Sequence, residues 1–400
     1  MTAVVSAVPE LAAVKRARLA TLTVFFMNGL LVGTWISRIP RVKELLELSP
    51  GPLGLLLLAP GAGALLAMQG VDRIIRRHGS GPSTRRLALL FSLLLLPVPL
   101  ALTLPAPMPA AVATGLALGA FGGGSGALDV AMNAQAVVVE RHRRRPIMSS
   151  FHGAWSIGGV VGGIAGALAA AHGAGVGVHF VVITVLAVVL VGLAWRHLLD
   201  READLRDDTA AAAGTGFRQM PALVWLLGLI ATCGMVAEGG SADWGGVYLR
   251  DSLHTSAGLA PVSYAVFSAT MTLGRFSGDR LVARFGPVAV VRVMAGSGAA
   301  ALAVALLIGQ PVVAIVGFGW LGLGLSCIVP VVFTAVGNVP GVEPAGALAR
   351  VSSIGYTAFL VGPPLIGGIA QLTSLPVALF VLVALTATAA AGAGLTRPRA

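Results

Sequence analysis

Residues 122–135 read Gly-Gly-Gly-Ser-Gly-Ala-Leu-Asp-Val-Ala-Met-Asn-Ala-Gln and lie inside an apolar run from Met108 to Glu140. Such a run can cross a bilayer, which needs about 20 apolar residues. Asp129 therefore lies at membrane depth, where a carboxylate costs roughly 2.5–3.5 kcal/mol on insertion scales and should face a protein interior or a water-filled cavity. The glycines upstream permit close approach of a neighbouring helix. Asn133 follows four residues after Asp129, so one helix face offers an acid and an amide.

The composition is that of a polytopic helical membrane protein. Hydrophobic residues make up 56% of the 400-residue chain and charged residues only 11%, whereas soluble proteins carry about 25% charged residues. The net charge of +11 would suit a nucleic-acid partner, but the basic residues flank apolar runs, so we expect no nucleic acid. Cys233 and Cys327 lie inside apolar runs and fit neither a disulfide framework nor a metal site. We therefore expect no metal and no cofactor.

Charged residues, prolines and glycines divide the chain into twelve predicted spans. All but four of the 27 Lys and Arg residues fall on one side of this topology. Because positive residues remain cytoplasmic, both termini should lie inside the cell. The polar stretch 199–217 is interpreted as a flexible cytoplasmic linker between an N-terminal bundle, 1–198, and a C-terminal bundle, 218–400. The predicted spans are 17–39, 51–71, 86–105, 108–139, 148–171, 176–198, 220–249, 258–278, 287–308, 311–337, 346–371 and 375–395.

The two halves repeat one short motif after their second span. Glycine before the motif aspartate permits close packing of helix ends, the aspartate can cap a neighbouring helix and pair with arginine, and the later arginines face the cytoplasm. Positive anchoring alone would explain the arginines but not the aspartates, so we interpret the motif as a gating latch. A parallel repeat also predicts a site between the halves at mid-depth. The two copies comprise Gly70, Asp72, Arg73, Arg77 and Gly79, and Gly278, Asp279, Arg280, Arg284 and Gly286.

With six plus six spans and a central loop, this pair of motifs resembles the major facilitator superfamily along the whole chain. The resemblance implies an all-α membrane protein with twelve transmembrane helices in two pseudo-symmetric six-helix bundles. It also implies alternating access, in which the bundles rock and the Asp72 and Asp279 clusters steady the state closed to the cytoplasm. The motif says nothing about the substrate.

Within that superfamily, the first half is similar to the fucose:proton symporter group. Phe25-Phe26-x-x-Gly29 matches that group's first helix, and its Glu-x-x-x-Asn becomes Asp129-x-x-x-Asn133. Strings such as Ser150-Phe-His-Gly resemble the YbjJ-type permeases of bacteria more closely. The resemblance implies that Asp129 takes part in proton coupling or substrate binding, in a bacterial plasma membrane. The group's acid in the first helix is replaced by Ile36, so its hexose site is not present in the same form.

Further polar residues lie within the predicted spans. Glu238 and Asp243 fall in the outer part of the seventh span, and the deeper Glu238 is the second candidate for a protonatable coupling group. Arg38 lies near the outer end of the first span, where it can snorkel or, if it points inward, recognise an anionic substrate. For most other candidates, helix packing is the competing explanation. The substrate-binding candidates are Asn28, Arg38, Asn133, His152, Trp155, Asp243, Trp244 and Tyr356.

Two transport functions remain open. The first is a secondary transporter that couples a small solute, with sugar-like solutes among the candidates, to protons through Asp129 and Glu238. The second is a proton-antiport exporter of an amphipathic metabolite or drug, which the apolar first helix favours. An enzyme is not expected, because the sequence has no His-Glu-x-x-His motif and no phosphate-cradling loop. The expected partners are a small-molecule substrate, protons and the lipid bilayer, and the expected state is a monomer.

Overall fold

The chain is helical throughout the residues that its structure describes. The computed structural model covers residues 11–143, 147–204, 221–340, 342 and 344–397, without the side chains of 11, 344–346, 348–350, 352, 353 and 356–359. Ten helices in these ranges are long and apolar enough to cross a membrane. Two more, Val262–Phe285 and Pro344–Leu372, are 24 and 29 residues long and complete the twelve predicted spans.

Two predicted spans are each built from two helices. The third span begins at Ser80 rather than at residue 86, and its first helix ends before Pro97, which has no N–H to donate. The tenth span is interrupted at Ser326 and Cys327, because Pro330 cannot donate the helical hydrogen bond to the Ser326 carbonyl. In chain order the helices are α1 (Leu11–Leu45), α2 (Pro50–His78), α3 (Ser80–Leu93), α4 (Pro97–Ala101), α5 (Pro107–Arg143), α6 (Met148–Ala171), α7 (Val176–Trp195), α8 (Ala222–Val247), α9 (Val262–Phe285), α10 (Pro287–Ile308), α11 (Pro311–Leu325), α12 (Ile328–Gly337), α13 (Pro344–Leu372) and α14 (Leu375–Ala391).

Close contacts group the chain into two compact units. Unit 1 contains Met1–Arg38 and Ala59–Ala210, and unit 2 contains Ile39–Leu58 and Ala211–Ala400. The end of α1, the start of α2 and the turn between them therefore belong to unit 2. The rest of both helices belongs to unit 1.

In unit 1, α1 and α6 pack backbone against backbone through glycines. A Cβ added at Gly158 would lie 2.0 Å from the Phe26 carbonyl oxygen, and a Cβ at Gly29 would lie 1.9 Å from the Trp155 carbonyl oxygen. These obstacles are backbone atoms, which cannot rotate aside as side chains do, so only glycine fits at these positions. The two helices thus approach as closely as small residues permit in membrane proteins.

The close approach predicted for the glycines before Asp129 is confirmed, and the neighbouring helix is α2. A Cβ at Gly122 would lie 2.0 Å from the Pro60 carbonyl oxygen, and a Cβ at Gly126 would lie 2.9 Å from the Ala64 α-carbon. Asp129 follows Gly126 by three residues, so the acid continues the glycine-lined face of α5. The position of the acid is therefore set by a helix pair that packs without intervening side chains.

In unit 2, α8 packs on α13 and α14, and α11 lies against both α9 and α10. Glycines again allow the close contacts. A Cβ at Gly322 would lie 2.4 Å from the Phe267 carbonyl oxygen of α9, and a Cβ at Gly324 would lie 2.7 Å from the Met294 carbonyl oxygen of α10. The first part of the tenth span is therefore held tightly between two neighbours.

Two adjacent ion pairs hold the segment 39–58 in unit 2. In one pair this segment supplies the basic residue, and in the other it supplies the acidic residue. Lys43 Nζ lies 2.7 Å from an Asp251 carboxylate oxygen, and Arg250 Nε lies 2.5 Å from a Glu44 carboxylate oxygen. Arg250 and Asp251 lie on the single π-helical turn that continues α8. The alternating charges favour one register between this turn and the end of α1.

Replacing Gly158 with Ala should lower the thermal stability of the purified protein, because overpacking costs about 1–3 kcal/mol. Gly192→Ala is the matched control, since a Cβ at this α7 position meets nothing within 4 Å. The control should leave stability unchanged or raise it slightly through helix propensity. Thermal unfolding in detergent measures both variants. An unchanged melting temperature in Gly158→Ala would contradict the backbone contact between α1 and α6.

Candidate functional site

Asp129 and Asn133 form a hydrogen-bonded pair inside α5. The Asn133 Nδ2 donates to an Asp129 carboxylate oxygen at 3.1 Å and to the Asp129 backbone carbonyl at 2.8 Å. Both side chains are partly buried. Within the described part of the chain, the carboxylate has this neutral donor and no Lys, Arg or His nitrogen within 4.0 Å. Gain or loss of a proton at Asp129 would therefore change the charge of the whole pair.

A second polar pair joins α1 to α6 in unit 1. Trp155 Nε1 donates to Asn28 Oδ1 at 2.9 Å, which brings together two predicted substrate-binding residues. The Phe25 ring lies 5.5 Å, between centroids, from the rings of Phe151 and His152. Asn28 is 2% exposed, and its Nδ2 has no partner among the described residues. A buried donor without an acceptor is costly, so this amide is a candidate for binding an acceptor on a substrate.

The second predicted coupling acid, Glu238 of α8, is ion-paired and not fully buried. Arg275 Nη2 of α9 donates to both Glu238 carboxylate oxygens, at 3.1 and 3.2 Å, and 26% of the Glu238 side chain is exposed. The sequence places Arg275 among the cytoplasmic arginines, and the structure pairs it with an acid of the neighbouring helix. Arg275 lies ten residues before the end of α9, roughly 15 Å along the helix axis, where an unpaired guanidinium would be expensive.

The other candidates on α8 differ in exposure. Asp243 is partly buried, and both Asp243 and Glu238 lie close enough to Tyr264 of α9 to interact with it electrostatically. Trp244 is fully buried in the core, so its indole presents no face to a ligand in this structure. The predicted contact of Trp244 with substrate therefore has no support from its position. Tyr356 lies outside the residues whose side chains are described.

Arg38 is buried instead of snorkelling to the surface. It is 2% exposed, its Nε donates to His179 Nδ1 at 3.0 Å, and its Nη2 donates to the Ala174 carbonyl oxygen at 2.7 Å. These bonds tie α1 to the start of α7 and to the turn before it. The snorkelling expectation is wrong, because partners inside the protein satisfy the guanidinium. Recognition of an anionic substrate by Arg38 stays a prediction.

The two motif copies lie at the ends of α2 and α9. Asp72 pairs with Arg76 of its own helix, and both side chains are exposed. Among the described residues, a Cβ at Gly70 would meet no atom within 4 Å, so these residues do not show the close packing predicted there, whereas a Cβ at Gly278 would lie 3.0 Å from Cys327 Sγ. The gating role of the motif stays a prediction. The other charged motif residues are also exposed, namely Arg73, Arg77, Asp279, Arg280 and Arg284.

An aspartate does cap a neighbouring helix, but it is Asp204 and not a motif residue. Its carboxylate accepts from the Ser80 backbone N at 2.8 Å and from Ser80 Oγ at 2.6 Å, at the start of α3. Ser80 Oγ also lies 2.7 Å from the Gln135 side-chain amide on α5. Since a hydroxyl has one proton, Ser80 can donate to Asp204 while a flipped Gln135 amide donates to Ser80.

The beginning of the predicted flexible linker is therefore docked on unit 1. Residues 199–204 belong to the described chain, and Arg201–Ala203 form a 3-10 turn. Residues 205–217 lie outside the described residues. This contact is not evident from the sequence when the third span is taken to begin at residue 86. The Gly79-Ser80 pair is a helix-start signal that would have placed the start of α3 correctly.

Long apolar helices with acids at membrane depth define this molecule as a multi-pass membrane protein suited to transport. A model described as the Major Facilitator Superfamily matches residues 19–347. An uncharacterised MFS-type transporter of Yersinia pestis is 35% identical, over 94% of this chain and 94% of its own length. The membrane protein MosC of Rhizobium meliloti is 32% identical, over 90% of this chain and 85% of its own length. The chain belongs to the major facilitator superfamily.

Solved structures agree on the fold. A crystal structure of the nucleoside transporter NupG has a TM-score of 0.70 and 11% identity, over 95% of this chain and 98% of that chain. An inward-facing, occupied bacterial homologue of the human lysosomal transporter Spinster has a TM-score of 0.68 and 13% identity, over 94% and 95%. Such identities carry the fold and not the substrate. The predicted superfamily and all-α twelve-helix fold are confirmed, and the protein is a secondary transporter from a bacterial transporter family.

Asp204→Ala should release the docked segment, because loss of an N-cap costs about 0.5–2 kcal/mol. We expect faster amide hydrogen exchange at residues 199–204 and in the first turn of α3. Glu202→Ala is the matched control, since it removes an exposed carboxylate from the same turn, and it should exchange as the wild type does. Equal exchange in the two variants would contradict the capping role.

Proposed function

We propose that the protein is a proton-coupled secondary transporter of a small solute and that the Asp129 carboxyl carries the proton. The observation that supports this most directly is the pairing of Asp129, inside a span, with the neutral amide of Asn133. Loss of the proton creates a charge that is costly at membrane depth. A proton that binds two conformations with different affinity shifts the equilibrium between them, and such a shift is what coupling requires.

The polar pair of α1 and α6 supports solute binding within unit 1. The unpartnered Asn28 Nδ2 can donate to a hydroxyl, carbonyl or carboxylate oxygen, and the partly buried Trp155 ring can contact an apolar part of the solute. His152 is exposed on α6, one turn before Trp155. These groups suit a small solute with at least one hydrogen-bond acceptor.

We also infer how the chain is organised during transport. Residues 1–198 and 218–400 act as the two bundles that rock, except that the segment 39–58 belongs to unit 2 in this structure, and the linker 199–217 joins them. The one-sided distribution of Lys and Arg supports cytoplasmic termini in a bacterial plasma membrane. The protein acts as a monomer, and the clusters around Asp72 and Asp279 act as the cytoplasmic latch.

A ligand must first be found. Thermal unfolding against sugars, nucleosides and amphipathic drugs serves this purpose, because a ligand at about 100 times its dissociation constant adds roughly 2.7 kcal/mol of stability. The protein is then reconstituted in liposomes that contain a pH-sensitive dye. Addition of the solute should drive protons in the same direction as the solute. Proton movement opposite to the solute would favour the antiport exporter.

Asp129→Asn should abolish solute-driven proton movement in these liposomes, because an amide cannot carry the proton, while exchange of labelled for unlabelled solute continues. Asp129→Glu is the matched control, since it keeps the carboxyl, and it should retain proton movement. The same dye signal in Asp129→Asn as in the wild type would contradict the assignment of Asp129 as the proton carrier.

Asp72→Ala should reduce turnover more than solute affinity, because a latch stabilises one conformation of the transport cycle without touching the solute. Initial transport rates at several solute concentrations separate the two effects. Glu202→Ala, which removes another exposed acid of unit 1, should leave both unchanged. A loss of affinity with normal turnover in Asp72→Ala would contradict the latch.

A further inference from the structure

We propose that unit 2 binds an organic monocarboxylate with an apolar body in a cavity beside Arg275 and that this ligand competes with Glu238 for Arg275. This site is distinct from the solute site proposed for unit 1, so the inference goes beyond the proposed function. It arises from three features of unit 2, namely a cavity of ligand size, an arginine at its inner end and an acid that shares that arginine.

The cavity arises where the tenth span is interrupted. Before the interruption, the span packs tightly on α9, where a Cβ at Gly322 would lie 2.4 Å from the Phe267 carbonyl oxygen. After it, α12 packs on α8 and α13 instead. The resulting wedge between α9 and α12 holds a cavity of about 590 Å³, within the roughly 300–1,000 Å³ of small-molecule sites.

The walls of the cavity are largely apolar, with charged groups at defined places. Val282, Val331 and Val339 are among the apolar lining residues. Arg275 is the lining residue of α9 farthest from the end of that helix, and Arg397 lines the cavity near the C-terminus. Such a cavity suits a ligand with an apolar body and one anionic group.

Arg275 has donors to spare. A guanidinium carries five N–H groups, and in the described chain only Nη2 is engaged, by the two oxygens of Glu238. Its side chain is 35% exposed. A carboxylate in the cavity can therefore approach the same guanidinium, for which a planar bidentate contact is favourable. Asp279 lies one turn further along the cavity wall, so a second anionic group beside Arg275 would meet a like charge, which favours a ligand with a single anionic group at this place.

Competition for Arg275 couples the anion to a proton. A ligand carboxylate on the spare N–H groups of Arg275 shares the guanidinium with Glu238, so two negative charges lie beside one positive charge and each disfavours the other. Uptake of one proton from water by Glu238 relieves this repulsion, and the site has then gained one anion and one proton with no net change in charge. Linkage makes this reciprocal, so protonation of Glu238 must strengthen anion binding. Because protonation is favoured at low pH, the affinity for the anion should rise as pH falls.

Few other ionisable groups of the described chain face this pair. Tyr264 of α9 and Asp243 of α8 lie near Glu238, and Asp279, Cys327 and Arg397 line the cavity. Arg350 and Tyr356 of α13 lie outside the described side chains. Because several acids are close, the pH test below uses a variant of Glu238 itself to assign the effect.

The test measures binding to the purified full-length protein by thermal shift. The probes are benzoate and hexanoate, with benzamide and hexanamide as neutral matched compounds. The two carboxylates should stabilise the wild type and the amides should not. Arg275→Gln should raise the dissociation constants at least tenfold, whereas Arg292→Gln should not, since Arg292 does not line the cavity. If Arg275→Gln fails to fold, Ala335→Phe serves as the second variant. It fills the cavity and keeps the ion pair, and it should abolish binding.

The pH dependence tests the competition. Between about pH 6 and pH 8, the probes benzoate and hexanoate stay ionised. In this range the affinity of the wild type for each probe should fall with rising pH, by up to about tenfold per pH unit for one linked proton. In Glu238→Gln, binding should be tight and independent of pH. No stabilisation by either carboxylate, equal stabilisation by the amides, or an unchanged pH slope in Glu238→Gln would each overturn the proposal.

The role of Asp129 as proton carrier and the anion site at Arg275 can each be contradicted without the other. Binding needs no transport, so absence of carboxylate binding leaves the role of Asp129 in proton movement standing. Carboxylate binding that depends on Arg275, in a protein whose liposomes show no proton movement, would overturn the proposed coupling through Asp129 and not the anion site.

Discussion

A charged side chain inside a membrane span needs a partner within the protein, and this requirement organises the polar groups of both units. The chain meets it in three ways. Asp129 has a neutral amide from its own helix, Glu238 has a guanidinium from the next helix, and Arg38 has a histidine and a backbone carbonyl. The partner decides what each group can do. We propose that the Asp129 carboxyl, beside an amide, can change its charge and that the Glu238 carboxyl changes its charge when an anion approaches Arg275, whereas the Arg38 guanidinium is bonded to groups of the protein.

Glycine contacts give these groups fixed positions. In unit 1, Gly29 and Gly158 bring α1 and α6 together next to the Asn28–Trp155 hydrogen bond. Gly122, which precedes Asp129 by seven residues, brings α5 onto α2. Backbone contacts have no rotamers to rearrange, so the helices keep their spacing while side chains titrate. A site on such elements is held more precisely than a site on loops. The interruption at Ser326 acts in the opposite way, because it separates α12 from α9 and opens space for a ligand.

The sequence was sufficient for features that depend on local composition. Twelve apolar runs, the one-sided basic residues and the glycines before Asp129 all follow from hydropathy and helical spacing. Features that depend on neighbouring helices could not be predicted in this way. Arg275 lies near the end of its predicted span and looks like a cytoplasmic flank in the sequence, and its pairing with Glu238 on another helix is a tertiary contact. The full burial of Trp244 and the docking of Asp204 on Ser80 likewise depend on tertiary packing. Contacts between distant residues produce no periodic pattern of residue types in the sequence.

We propose that Asp129 changes its charge inside the span. Infrared difference spectroscopy of the protein in lipid, recorded as the pH is varied, measures this directly and needs no substrate. A C=O stretching band of a protonated carboxyl should appear on acidification in the wild type, persist with a shifted frequency in Asp129→Glu and be missing in Asp129→Asn. Identical difference spectra for the wild type and Asp129→Asn would contradict the account.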